Sequence, residues 1–166
     1  MNFEAVLMAT ADKLRVDFDS ISKEINHMSA EQNKAVIRRW FAEMISTNDL
    51  GIADELVDPN YVNHFIPGLT GPDAERHIMT MFFSAFPDLV GTIEDLLAEG
   101  DRVAVRLIWR GTNTGSFNGM PPTNKHVAFG TTNIFRVVNG KIAENWPQVD
   151  MMGLMQQLGV IPTPEQ

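Results

Sequence analysis

The hydrophobic period of the chain changes near Pro87. Before this residue, apolar side chains recur every three or four positions, as on helices; after it they alternate with polar ones, as on strands. In residues 102–112 the odd positions 103 to 109 are apolar and the even positions carry three arginines, which is typical of a sheet with one face on a core. Helices followed by consecutive antiparallel strands predict an α+β domain, with the helices packed in the concave side of a curved antiparallel sheet.

Five helices are expected from apolar residues three and four positions apart. The first lies within residues 1–28, which contain neither Gly nor Pro, and its apolar stripe packs either on its own domain or on a partner subunit. The second begins at a capping box opened by Ser29 and ends near residue 47. The others are predicted at residues 49–57, between Pro72 and Pro87, and at residues 151–158 with Gly159 after the last turn.

The strands are predicted from alternation and from the turns that separate them. Asn139-Gly140 is a strong signal for a two-residue hairpin, and Gly100 lies in the turn before the clearest strand. The predicted strands cover residues 61–65, 89–99, 102–112, 127–138 and 141–150.

Length, charge and cysteine content narrow the classes of function. The 166 residues suffice for one core, so we expect a helical extension in residues 1–28 and one domain in residues 29–166. The net charge of −8 argues against nucleic acid or an anionic membrane as a partner. The chain has no cysteine, which excludes disulfides and thiolate nucleophiles. Its four histidines are far apart in the sequence, so we predict no metal site.

The apolar runs and the first residues bear on localisation. No run approaches the roughly 20 apolar residues that span a bilayer. The first residues lack the basic region of a signal peptide. We therefore expect a soluble, cytoplasmic protein.

Three motifs occur in order in the second half of the chain. Residues 111–123 read G-T-N-T-G-S-F-N-G-M-P-P-T, and residues 134–142 read I-F-R-V-V-N-G-K-I. Residues 144–150 read E-N-W-P-Q-V-D, and G-L-M-Q-Q-L-G follows at residues 153–159. Together these motifs resemble the SnoaL-like polyketide cyclase family of the nuclear-transport-factor-two-like superfamily, and the resemblance extends over residues 29–159.

This resemblance implies a fold and a chemistry. The fold would be a cone-shaped, cystatin-like α+β barrel around a deep pocket. The chemistry would be ring closure in a polyketide by an intramolecular aldol reaction, without cofactor or metal, with Asp150 as the general acid/base. Asn113 and Asn145 depart from the family's pattern, because many relatives carry His at these two positions.

The last predicted strand supplies the first set of site candidates. Strict alternation places Ile142, Glu144, Trp146, Gln148 and Asp150 on one face, so Trp146 and Gln148 are candidate substrate contacts. A carboxylate in a partly dry pocket can move a proton between carbon and oxygen near neutral pH, which is the catalytic interpretation of Asp150. The alternative is that Asp150 is only the N-cap of the helix that follows.

Further candidates come from the other elements. His64 is either a catalytic proton-transfer partner, or a donor to a substrate carbonyl, or a hydrogen-bonded histidine at the edge of the pocket. Asn63 has the opposite parity and is expected to point away. Thr131 and Asn133 share a face with phenylalanines, which suits groups that orient a ligand. The other predicted lining residues are Trp40, Phe41, Met81, Phe82, Trp109, Phe129 and Phe135.

Several functions fit these residues. In the first, Asp150 removes an acidic α-proton from a small lipophilic carbonyl substrate, and His64, Asn133 or water stabilises the enolate. The second is a binding or oligomerisation module on the same fold without chemistry. The third is an isomerase or hydrolase of the superfamily, for which Tyr61 is the only tyrosine in the chain. An exposed sheet face and the heptad-like first helix favour a homodimer or a higher homo-oligomer.

Overall fold

A computed structural model describes residues 30–45 and 49–162 of the chain. The predicted helix in residues 1–28 and the cap at Ser29 lie outside the described residues. Residues 30–45 are helical and are called α1. The remaining elements, in chain order, are α2 (Ile52–Leu56), β1 (Val57–Asn63), α3 (Pro72–Ala85), β2 (Val90–Glu99), β3 (Arg102–Thr112), β4 (His126–Val138), β5 (Lys141–Val149) and α4 (Met151–Leu158).

The five strands form one curved sheet in the order β1-β5-β4-β3-β2. Strands β2 to β5 pair antiparallel with their sequence neighbours, as the alternation and the turns predict. Strand β1 differs, because it pairs parallel with β5 at the edge of the sheet. The α+β fold class predicted from the sequence is confirmed.

The first strand is longer at its start than the sequence predicts. It begins at Val57, and α2 before it is correspondingly shorter than the predicted helix. Pro59 lies inside the strand and cannot donate a backbone hydrogen bond. An edge strand tolerates this loss because only one of its sides is paired. Burial alternates in β1 so that Tyr61 and Asn63 point inward. The prediction that Asn63 points away is therefore wrong.

Two helix ends follow the signals in the sequence. Helix α3 begins with Pro72 in its first turn, where the missing N–H of proline costs no helical hydrogen bond. Helix α4 ends at Gly159, whose φ of 81° is the left-handed conformation that glycine adopts without strain. Both elements were predicted at these positions.

A β-bulge inverts the face of β5 partway along the strand. Val137 pairs with Ile142, but the adjacent Arg136 pairs with Glu144, so Ala143 is an extra residue on β5. Beyond the bulge, the odd positions turn inward and the even positions turn outward. The predicted shared face of residues 142 to 150 is therefore wrong after Ile142.

The core fills the space between the helices and one face of the sheet. The odd positions of β3 and β4 are buried there, as predicted from their alternation. Phe41 of α1 packs edge-on against Trp109 and Phe135, with ring centroids 6.3 and 5.9 Å apart, and Phe82 of α3 stacks near Phe129 at 6.0 Å. No helix within the described ranges is both long and apolar enough to cross a bilayer.

Candidate active site

A cavity lies between helices α1 and α3 and the inner face of the sheet. It contains about 570 Å³ of space free of protein atoms, part of it open to solvent at the mouth. Most of its wall is aromatic or aliphatic. An apolar, concave wall with a few polar groups is typical of a small-molecule site.

One carboxyl group lies on this wall. Glu75 belongs to the first turn of α3 and is only 5% exposed. Among the described residues that line the cavity, Glu75 is the one with an ionisable side chain. Tyr61 donates its hydroxyl hydrogen to Glu75 Oε1, and Asn63 Nδ2 donates to the same oxygen at 2.7 Å. Asn63 Nδ2 also lies 2.9 Å from the Tyr61 hydroxyl.

The surroundings change the proton affinity of this group. Burial raises the pKa of Glu75 above its ordinary value, because the charged form loses its hydration. Hydrogen bonds from Tyr61, Asn63 and Asn145 oppose that shift by stabilising the carboxylate, but burial prevails. The pKa of Tyr61 is also raised, first by its own burial and then by the charge of Glu75, so its hydroxyl keeps its proton.

A second set of polar groups runs across the inner face of the sheet from β3 to β5. Trp109 Nε1 donates to Thr131 Oγ1 at 3.1 Å, and Asn133 Nδ2 donates to the same oxygen at 3.3 Å. Asn145 Nδ2 then donates to Asn133 Oδ1 at 3.3 Å. We call these four residues the polar chain. All four line the cavity, so its sheet side carries a row of hydrogen-bonding groups.

The structure brings most of the predicted lining residues together. The predicted candidates that line the cavity are Trp40, Phe41, Phe82, Trp109, Phe129, Thr131, Asn133 and Phe135. Met81 is half-buried against the core and does not line the cavity. The part that each lining residue plays in binding stays a prediction.

Asp150 does not line the cavity. It is exposed, and its Oδ1 accepts a hydrogen bond from the backbone N–H of Gly153 at 2.8 Å, so it is the N-cap of α4. Gln148 and Trp146 do not line the cavity either, because the bulge at Ala143 turns the even positions of β5 to the outer face. The capping interpretation of Asp150 therefore fits its position, and the dry surroundings assumed for its catalytic role are absent there.

His64 also lies outside the cavity. Its side chain is 41% exposed, and its Nε2 is 3.0 Å from Glu144 Oε1. Its ring stacks on Trp146 with the centroids 5.0 Å apart. Arg136 donates to the other oxygen of Glu144 at 2.8 Å, and Arg136 and His64 together lower the pKa of Glu144. These side chains form a cluster on the outer face of the sheet, separate from the cavity wall.

Sequence reasoning missed three polar residues of the site. Glu75 is followed at positions +3, +4 and +7 by Ile78, Met79 and Phe82, and this spacing could have placed it on the buried face of α3. Asn63 and Asn145 are direct neighbours in the parallel pairing of β1 with β5. No sequence pattern indicates that pairing, because it depends on which strand edge β1 joins.

Comparison with known proteins decides the family. The model of the SnoaL-like polyketide cyclases matches residues 35–158 of the chain. The chain belongs to this family. It is 32% identical over 114 residues to the nogalonic acid methyl ester cyclase of Streptomyces nogalater, an alignment that covers 64% of this chain and 82% of that protein. It is 33% identical over 119 residues to the aklanonic acid methyl ester cyclase DauD of Streptomyces sp. strain C5, covering 69% and 71%.

Solved structures of similar proteins share the fold. TsrD from Streptomyces laurentii superposes with a TM-score of 0.72 at 26% identity, over 79% of this SnoaL-like chain and 97% of TsrD. Wild-type IdmH from Streptomyces antibioticus superposes with a TM-score of 0.67 at 30% identity, over 77% and 99%.

Proposed function

We propose that this SnoaL-like protein closes a ring in a lipophilic carbonyl compound, and that Glu75 is its acid–base group. The observation that supports the proposal best is the position of Glu75, a buried carboxyl on the wall of a cavity whose other described lining residues are not ionisable. The names of two relatives give the substrate class to try first, namely methyl esters of polyketide acids such as nogalonic and aklanonic acid.

The proposed reaction begins with ionised Glu75. Its carboxylate takes a proton from the carbon next to a substrate carbonyl, which leaves an enolate. The enolate carbon attacks a second carbonyl carbon of the same molecule, so that a C–C bond forms and the C=O π bond breaks. The resulting alkoxide takes the proton back from Glu75, and the carboxylate is restored. A carboxyl with a raised pKa suits both proton transfers near neutral pH.

Thr131 is our candidate for stabilising the enolate oxygen. Its oxygen accepts hydrogen bonds from Trp109 and Asn133, and its own hydroxyl hydrogen has no acceptor among the described residues. The wall around it is mostly apolar, and a hydrogen bond to a developing negative charge is stronger in such surroundings than in water. His64 was the other candidate for stabilising the enolate oxygen, but it does not line the cavity.

A double-bond isomerase is the second candidate function. Isomerisation on this type of scaffold uses a tyrosine with a carboxyl group, and the structure brings Tyr61 into hydrogen-bonding contact with Glu75. However, Tyr61 is fully buried behind Glu75 and does not itself line the cavity. A tyrosine in that position can support the carboxyl but has no free path to a substrate oxygen, so the cyclase is the better fit.

The test is turnover of nogalonic and aklanonic acid methyl esters, followed by chromatography and mass spectrometry. We expect the wild-type protein to yield a ring-closed isomer of unchanged mass. Glu75→Ala should be slower by about 100-fold or more, which is the size of a typical general acid–base contribution. Added acetate should restore part of the rate, because it supplies a carboxylate to the vacated space.

Glu144→Ala is the matched control, since it removes a carboxylate from the outer face of the same sheet. It should retain wild-type turnover. Wild-type turnover by Glu75→Ala would overturn the assignment of Glu75, and an isomer with a moved double bond but no new ring would favour the isomerase.

A further inference from the structure

We infer that Asn145 selects substrates that present a hydroxyl group to the sheet side of the cavity. The inference rests on the proposed function and adds a requirement on the ligand. Asn145 is 4% exposed and lines the cavity. Its Oδ1 is buried and has no hydrogen-bond partner among the described residues, which makes it the exception in a network whose other members are paired. A buried acceptor without a donor is costly, so a ligand that supplies one gains affinity there.

The orientation of the Asn145 amide follows from its neighbours. Its Nδ2 donates to Asn133 Oδ1 at 3.3 Å, and the Asn145 side chain also acts to lower the pKa of Glu75, as a donor near the carboxylate does. Both partners are acceptors, so the NH₂ end of the amide must face them. A flipped amide would place oxygen against oxygen. The vacant group is therefore an acceptor, and only a donor can satisfy it.

The polar chain determines which ligand groups can bind next to Asn145. Asn133 is itself held, because its Nδ2 donates to Thr131 while its Oδ1 accepts from Asn145. Asn145 thus carries an unpaired buried acceptor among polar lining side chains that are already hydrogen-bonded to one another. A phenol, enol or alcohol hydroxyl can donate to it, whereas an ether or a carbonyl at the same position would leave it unpaired. Methylation of that substrate hydroxyl should therefore weaken binding.

The test uses two probes that differ only in this donor, 2-naphthol and 2-methoxynaphthalene. Isothermal titration calorimetry measures both dissociation constants for the full-length wild-type protein. The methyl ether is the more apolar probe, so hydrophobic transfer alone favours it. We expect the reverse, with 2-naphthol bound about five- to tenfold more tightly, as one hydrogen bond to a buried acceptor would give.

Variants then assign the preference to a residue. Asn145→Leu, of similar size, should bind both probes with affinities within about twofold, because the acceptor is gone; Asn145→Ala serves if the leucine variant lacks wild-type circular dichroism. Glu144→Gln should keep the preference, since it changes a side chain on the outer face of the sheet and leaves the cavity wall as it is.

Each outcome bears on one idea. If the wild type binds the probes equally or prefers the ether, or if the preference survives in Asn145→Leu, the role of Asn145 is overturned while the cavity remains a binding site. If neither probe binds at millimolar concentration, the role of Asn145 is overturned, and the turnover of the methyl esters decides the proposed function separately.

Discussion

Glu75 is a carboxyl group held away from water by the residues around it. An isolated buried carboxylate is strongly disfavoured, and the usual consequence is that the group keeps its proton. Tyr61 and Asn63 reduce this cost by donating to the same oxygen, so the ionised form stays accessible. The combination of a raised pKa with donors for the anion is what a group that both takes and returns a proton requires.

The raised pKa of Glu75 predicts a specific dependence of stability on pH. The folded protein binds this proton more tightly than the unfolded chain does. The stability that Glu75 contributes is therefore complete below its unfolded pKa, about 4.3, and is lost as the pH rises through its folded pKa. In guanidinium titrations between pH 4 and pH 8, the free energy of unfolding of the wild type should fall relative to that of Glu75→Gln, by up to about 1.4 kcal/mol per pH unit.

Glu144→Gln is the control, because the stability that Glu144 contributes should depend on pH in the opposite direction. Arg136 and His64 lower the pKa of Glu144, so the stability it contributes is present above its unfolded pKa and is lost as the pH falls. A parallel course of the wild type and Glu75→Gln at every pH would show that burial does not raise the pKa of Glu75.

At the scale of elements, one extra residue determines which side chains of β5 face the cavity. Side chains in a strand alternate with a period of two, so a single bulge exchanges the two faces for the rest of the strand. The bulge at Ala143 turns Asn145, Pro147 and Val149 into the cavity and turns Trp146 out. No turn residue or glycine marks it in the sequence, which is why alternation assigned the wrong face.

The cap of α4 predicts the behaviour of Asp150 variants. Asp150→Ala removes the acceptor for the Gly153 N–H and should lower the free energy of unfolding by about 1 kcal/mol. Asp150→Asn should stay within a few tenths of the wild type, because asparagine caps helices about as well as aspartate. Urea titrations of both variants measure the difference. Equal losses in the two would mean that the charge of Asp150, and not the cap, stabilises α4.

The connection between β3 and β4 is fixed to α3 at Gly115. Its N–H donates to the carbonyl of Ala85 at 3.1 Å, and a side chain at this position would collide with the backbone carbonyl of Ser84. Gly115→Ala should therefore lower the thermal midpoint by several degrees, as overpacking of about 1–3 kcal/mol implies.

Gly130→Ala on β4 is the matched control, because its added methyl would meet its nearest atom, Ile108 Cδ1, at 3.8 Å. It should leave the midpoint nearly unchanged. A Gly115→Ala midpoint equal to that of the control would contradict the close approach to α3.

At the scale of the molecule, the sequence predicted the features that follow from a regular hydrophobic period. It missed those that depend on how the helices and strands pack together. The α+β class, the bounds of β3 and α4, and the aromatic part of the cavity followed from periodicity, because period and burial are directly linked. Thr131 and Asn133 followed as well, but the other polar groups did not, since Asn63, Glu75 and Asn145 come from three elements that meet only when β1 joins β5 in parallel. The homo-oligomer and the helix in residues 1–28 stay predictions.

The central claim is that the acid–base group lies inside the cavity and not at the start of α4. The most direct test is the turnover number of Glu75→Gln and Asp150→Asn on aklanonic acid methyl ester, measured side by side with the wild type. Each variant removes one negative charge and keeps the shape of the side chain. The account predicts that Glu75→Gln loses about 100-fold or more while Asp150→Asn stays within about twofold of the wild type. A large loss in Asp150→Asn with normal turnover in Glu75→Gln would contradict it.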